Sequence, residues 1–176
     1  MLEHGVDCVV VDAGIMGEPL AAPDITREEV AAAGGADVHA LAAAGDRGAA
    51  VAAMARGAAE IVQRLHAEGR LDGVLGLGGS GNSALVCEAM RALPVGVPKL
   101  MVSTVASGDT RPYVGATDIA MMYSVVDIAG VNRISAQIMT NAAGMIAGAV
   151  KSMVPRLGAE KPLIGATMFG VTTPCV

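Results

Sequence analysis

Tryptophan is absent from this chain of 176 residues, which also has only one phenylalanine and two tyrosines. A core without large rings must be built from Ala, Val, Leu, Ile and Met, and the chain is 53% hydrophobic. Side chains this small favour close packing of helices on a sheet and leave backbone within reach of ligands. Basic residues are also scarce: 12 Lys and Arg face 17 Asp and Glu, a formal charge of −5. No basic stripe exists to neutralise phosphates along a polymer, which argues against nucleic acid as a partner. Cys8, Cys87 and Cys175 lie far apart with no C-x-x-C, so they read as buried thiols in a reducing cytosol. His4, His39 and His66 show no metal-ligand spacing.

A mean hydropathy of +0.54 raises the question of a membrane span. The most apolar helical stretch, Ser135 to Val150, contains Gln137, Thr140 and Asn141 and is flanked by Arg133 and Lys151. That is too short and too polar for the roughly 20 apolar residues a span needs. The first apolar run has no basic residues ahead of it and is bracketed by Asp7 and Asp12, unlike a secretory leader. A soluble, cytoplasmic protein is the expectation, with no membrane partner.

The most informative stretch is Val74-Leu-Gly-Leu-Gly-Gly-Ser-Gly-Asn-Ser-Ala84. Gly73 to Leu77 reads as a buried parallel strand, since it neither alternates nor carries charge. Glycines follow, then Ser80, Asn82 and Ser83 ahead of a helical run from Ala84 to Leu93. Glycines permit a sharp turn and close backbone approach, and a helix N-terminus adds free N–H donors and partial positive charge. Strand, glycine turn and helix therefore suit a phosphate or carboxylate, or form a tight turn with no ligand. Gly76, Gly78 and Gly81 satisfy G-x-G-x-x-G. That dinucleotide pattern expects an acid about 20 residues on. Here the next strand ends in hydroxyls, and the first acid after it is Asp109. No G-x-x-x-x-G-K-[ST] occurs, which excludes a P-loop NTPase.

Elsewhere, Asp7 to Asp12 reads as a first strand ending in a glycine-bearing loop, where Asp12 would bind a ribose hydroxyl or a metal, or simply solvate the strand end. Thr26-Arg-Glu-Glu29 is a capping box opening a short helix that Gly34-Gly35 closes. Asp46 is placed to cap a long helix over about 47–68, whose apolar residues form a stripe for the sheet. The roughly 60 residues between the first two strands exceed what one crossover needs, and suggest a cover over the strand ends or an oligomer contact. A strand over 99–105 runs into Ser103-Thr-Val-Ala-Ser-Gly-Asp-Thr-Arg-Pro-Tyr-Val-Gly115, on the same sheet edge as the glycine loop. Open α/β sheets bind ligands along that edge, and this density of hydroxyls marks a functional loop. A short strand over 118–123, a long helix over 128–153 and a last strand over 162–169 complete the pattern. Gly144-x-x-x-Gly148 in the long helix suggests close packing, with a dimer face as the lesser reading. The whole is one α/β domain over 1–176, a three-layer open, mostly parallel sheet with helices on both faces (Rossmann-like). Both ends look cut, as for one subdomain of a longer chain.

Three stretches resemble a known family. They are Leu75-Gly-Leu-Gly-Gly-Ser-Gly-Asn-Ser83, the block from Pro94 to Gly115, and Tyr123-Ser-Val-Val-Asp-Ile-Ala-Gly-Val-Asn-Arg133; Ile164 to Pro174 fits as well. Together they are similar to the N-terminal domain family of the tomato mosaic virus resistance protein, which has many bacterial members. The resemblance implies an α/β domain that binds ATP, with magnesium, and self-associates as a homo-oligomer. It also implies a further strand and helix ahead of this segment and a second α/β subdomain behind it. Carried onto this sequence, the glycine loop is Gly78, Gly79, Ser80, Gly81 and Asn82, and the hydroxyl-rich loop is Ser103, Thr104, Ser107, Gly108, Asp109 and Thr110. Backbone amides of the first loop would hold phosphates, Thr104 or Ser107 would reach them from the second, and Asp109 would hold magnesium as a hard oxygen ligand. Two alternatives remain open. One is an enzyme acting on a small phosphorylated or carboxylated metabolite, with Asp12, Asp109 or Asp127 as acid or base. The other is an interaction module that binds a protein without an intact pocket.

Overall fold

The computed structural model describes residues 4–19 and 21–152. In chain order the elements are α1 (Arg27–Ala33), α2 (Val38–Ala44), α3 (Arg47–Ala67), β1 (Val74–Gly78), α4 (Ser80–Arg91), β2 (Lys99–Ser103), α5 (Arg111–Val114), β3 (Ala120–Tyr123) and α6 (Arg133–Lys151). The three strands form one open parallel sheet in the order β1-β2-β3, with Gly78 opposite Ser103 and Ser103 opposite Tyr123. All five residues of β2 are buried, as expected for a central strand covered on both faces.

The pleat sends alternate residues to opposite faces. Met101 and Met121 meet Cys87 and Met90 of α4 on one side. Leu100, Val102, Leu75 and Met122 meet Ala142 and Ile146 of α6 on the other. The fold is thus α/β and Rossmann-like, with helices on both faces of a parallel sheet. Beside α4, α3 buries Met54, Ile61 and Leu65 in a cluster with Leu85 and Ala89 of α4, Leu93 just beyond it and Val30 of α1. The apolar stripe of α3 therefore packs chiefly between two helices instead of lying directly on the sheet. At the α1–α3 crossing a Cβ on Gly57 would sit 1.8 Å from the Val30 carbonyl oxygen, so only glycine permits this approach.

Several expected elements change. Residues 7–12 form no strand of the sheet; Val11 makes an isolated parallel bridge to Ile25. The Val10 carbonyl accepts the Asp24 and Ile25 N–H groups, so this run pairs with the segment before α1, leaving Val9 and Val10 exposed. The intervening residues build helices that pack together beside α4, with Arg47 at the start of α3 reaching the glycine loop, and they include α2, capped by Asp37 and hidden in an alanine-rich run. Strand β2 stops at Ser103 and β3 begins at Ala120; Asp118 lies outside it, with its carboxylate on the Lys99 ammonium. The long helix starts at Arg133: Asn132 is its N-cap, closing a capping box with Ser135, and Gly130 precedes it at φ +79°. Gly148 meets nothing within 4 Å and Gly144 only the His4 ring, so among the described residues this glycine pair serves no close packing. The strand expected over 162–169 and Cys175 lie outside the described residues. Among those described, no helix is long and apolar enough to cross a membrane.

Candidate functional site at the carboxyl edge of the sheet

The glycine loop sits where β1 hands over to α4, and the helix begins earlier than its apolar pattern suggests. Gly79, extended at φ −82° and ψ −164°, is the N-cap, so Ser80, Gly81 and Asn82 form the first turn. None of Gly76, Gly78, Gly79 and Gly81 has a positive φ. Their shared property is the lack of a side chain. A Cβ on Gly76 would lie 2.4 Å from Val86 Cγ1, and one on Gly78 would lie 2.3 Å from Asn82 Cβ. These glycines let α4 sit hard against the end of β1. Gly79 is open: a Cβ there would meet only Thr104 Oγ1, at 3.6 Å.

The caps distinguish this helix from four of the others, though the four-residue α5 also lacks a side-chain cap. The side chains of Thr26, Asp37, Asp46 and Asn132 cap α1, α2, α3 and α6. Helix α4 has no side-chain cap, so the N–H groups of its first turn point outward unpaired. The loop's carbonyls, in contrast, are occupied. Gly78 O accepts the Thr104 N–H at 3.3 Å, and Gly79 O accepts both the Ser83 N–H and the Ser83 hydroxyl at 2.8 Å. Donors face solvent while acceptors are turned inward, which is the polarity an anion requires.

Arg47, which sequence reasoning did not single out, stands beside this loop. Its terminal nitrogen lies 3.0 Å from where a Cβ on Gly81 would be. It occupies the first turn of α3, where the helix macrodipole disfavours a cation and the adjacent acid is the capping Asp46, whose carboxylate is engaged by the Ala49 N–H. Among the described residues it has no ion-pair partner. Helices α3 and α4 run the same way, since Gln63 near the end of α3 bonds the Ala92 carbonyl beyond α4. Two helix N-termini and a guanidinium therefore converge at this edge. A cation in a first turn was the available signal, but its proximity to Gly81 is tertiary.

The second loop divides. Thr104 faces Gly79 with its hydroxyl, close to the glycine loop. Ser103 is fully buried: its Oγ lies 2.6 Å from Ser83 Oγ and accepts the Val105 N–H at 3.1 Å. Ser107, Gly108 and Asp109 are exposed, Thr110 is half-buried at the start of α5, and no hydrogen bond links these four to the glycine loop. Asp109 is held by Arg111, whose Nε and terminal nitrogen each approach a carboxylate oxygen at 2.8 Å. That guanidinium, with the Arg111 backbone N–H, holds the Asp109 carboxyl below its ordinary range. Among the described residues no group of three or more His, Cys, Asp or Glu could hold a metal ion.

Asp12 is likewise engaged. Arg27 Nε reaches it at 2.7 Å and the Gly14 N–H at 2.8 Å, in a half-buried ion pair beside a concavity of about 500 Å³ lined by Thr26, Glu28 and His39. That concavity is lined by residues between Asp12 and His39 and by none of the glycine loop.

Residues 1–155 match the uncharacterised protein family UPF0261, N-terminal domain. A UPF0261 protein of Clostridium tetani is 53% identical over 171 residues, 97% of this chain and 42% of that protein. A UPF0261 protein of Rhizobium meliloti is 47% identical over 168 residues, 96% of this chain and 41% of the relative. The ToMV resistance protein Tm-1(GCR237) of Solanum lycopersicum is 44% identical over 135 residues, 74% of this chain and 18% of the plant protein. The ToMV susceptible protein tm-1(GCR26) matches equally, at 44% over 135 residues. The chain thus spans well under half the length of these relatives.

Proposed function

This chain belongs to the UPF0261 N-terminal domain family, and we propose that it is a nucleotide-binding unit, for ATP, with the phosphates at the Gly78–Asn82 loop. The observation that carries this reading is the polarity of that loop: free N–H groups of an uncapped helix face out while the Gly78 and Gly79 carbonyls are consumed. Helix N-termini of this kind hold phosphate oxygens. Ser80 and Asn82, exposed in the first turn, add side-chain donors, and Thr104 and Arg47 approach from either side. Ser107, Gly108 and Thr110 come into contact only with a ligand that extends past Thr104.

Magnesium fits this arrangement less well than phosphate. Asp109 already neutralises Arg111, and the described residues bring no second carboxylate to it. Magnesium commonly binds through one or two carboxylates together with substrate phosphates and water. In this reading the ion arrives on the nucleotide, and Asp109 meets it only by releasing Arg111. Binding is favoured over turnover because two of the three candidate acids or bases, Asp12 and Asp109, are paired with arginines, and Asp127, among the described residues, accepts only the Ile128 N–H. An interaction role is not selected by the plant matches, since the resistance and susceptible proteins are equally similar over this stretch. Cys87 is a buried thiol as expected, whereas Cys8 is exposed because the 7–12 run does not enter the sheet; a cytoplasmic location and self-association belong to the same proposal.

A thermal-shift titration with ATP, inorganic triphosphate and adenosine tests the reading. A ligand that binds only the folded state at a hundred times its Kd stabilises by about 2.7 kcal/mol. ATP and triphosphate are expected to raise the melting temperature and adenosine to do so weakly. A shift with adenosine alone would place recognition elsewhere, and steady ATP turnover would contradict a binding-only role.

A further inference from the structure

Ser83 and Ser103 form a buried hydroxyl pair whose hydrogen-bond direction can be deduced. Gly79 O can only accept, so Ser83 donates its single proton there, at 2.8 Å. Ser103 must then donate to Ser83 across 2.6 Å, and its oxygen receives the Val105 N–H at 3.1 Å. The result is one directed chain from the Val105 amide through Ser103 and Ser83 to the Gly79 carbonyl. Both hydroxyls are completely buried, so neither is free to touch a ligand.

We propose that this relay is a positioning device that couples the two loops and sets the anion site. It pins the Gly79 carbonyl inward, where it would otherwise oppose a phosphate, and ties that orientation to the start of the 104–110 loop. The Gly79 oxygen has both lone pairs used, by the Ser83 amide and hydroxyl. Ser103 is thereby a residue that acts through Ser83 and not a direct phosphate ligand. The link to binding rests on the phosphate reading of the glycine loop; the coupling between loops does not.

The test combines two readouts on the intact chain, using Ser103→Ala and, in case that variant fails to fold, the similarly sized Ser103→Cys, whose thiol is a weak donor. Amide exchange at Ser83 reports the glycine-loop end when only Ser103 is changed. Calorimetry with inorganic triphosphate reports the site, and Arg47→Ala is the reference for lost direct contact. The expected result is faster exchange at Ser83 together with triphosphate affinity weakened about five- to tenfold, the scale of one buried hydrogen bond. Unchanged exchange at Ser83, with effects confined to Val105 and its neighbours, overturns the coupling. Altered exchange with wild-type affinity overturns the positioning of the anion site. If the unaltered protein binds no triphosphate while Ser83 exchange still responds, the coupling stands and the phosphate reading falls.

Discussion

The two ends of the sheet are both polar, yet only one is closed. At the amino end Lys99 is buried, and its ammonium is held by Pro94 O at 2.7 Å, Val97 O at 2.9 Å and Asp118 Oδ1 at 2.8 Å. An ammonium has three donors, so this one is complete. Asp118 also accepts the Gly96 N–H at 2.7 Å. At the carboxyl end, the first turn of α4, the Thr104 hydroxyl and Arg47 have no such partners. A satisfied network leaves nothing for a ligand to gain. Unpaired donors around an open glycine leave a good deal.

The comparison is broken most forcefully at the closed end. Asp118→Ala removes the counter-charge of a buried lysine and should cost about 3 kcal/mol of stability, read by chemical denaturation, with triphosphate affinity unchanged. Acid should act in the same direction. Burial raises the Asp118 pKa, but the bonds from Lys99 and the Gly96 N–H outweigh it, and the net shift is downward. A carboxylate with a depressed folded pKa contributes stability that is present above its unfolded value, near about 4, and is lost as pH falls through the folded one. Denaturation midpoints should therefore fall below about pH 4 in the wild type and change less over that range in Asp118→Ala.

The open end sorts into packing and binding positions. Gly78→Ala places a Cβ 2.3 Å from Asn82 Cβ, both on fixed backbone, and should destabilise by about 1–3 kcal/mol. Gly79→Asp should fold, since that position is open and extended, while putting a carboxylate beside Thr104 where an anion would sit. Its triphosphate binding should disappear, and a large loss of stability in this variant would mean that the loop is closed after all. The smallest effect on folding belongs to Arg47→Ala. Removing a cation from the first turn of α3 should leave stability within about 0.5 kcal/mol of wild type. Triphosphate affinity should drop about tenfold, as for one charge-assisted hydrogen bond, and more steeply at low salt.

Much of this contrast was legible along the chain. The β1–α4 junction and the Thr26–Glu29 capping box follow from local pattern, because each depends on residues within a few positions of one another, and the parallel sheet follows from unalternating apolar runs separated by helical ones. The run at 7–12 did not, since an apolar stretch does not reveal which segment it pairs with. Helix α2 was masked by alanines and glycine in a connector without an apolar stripe. The glycines were read as permitting a sharp turn and close backbone approach; what the structure adds is that Gly76 and Gly78 relieve contacts with Val86 and Asn82, without positive φ. Arg47 and the Ser83–Ser103 pair are tertiary meetings of distant positions, and no spacing rule finds them. Asp109 looked free in the sequence because its engagement by Arg111 depends on the local turn.

The most direct measurement is amide chemical-shift perturbation in the intact chain on adding inorganic triphosphate. The account predicts that Ser80, Gly81 and Asn82 move most, with Thr104 following, while Gly96 and Lys99 at the closed end stay still. Shifts centred on the Asp12–Arg27 concavity, or no shifts at millimolar triphosphate, would contradict it.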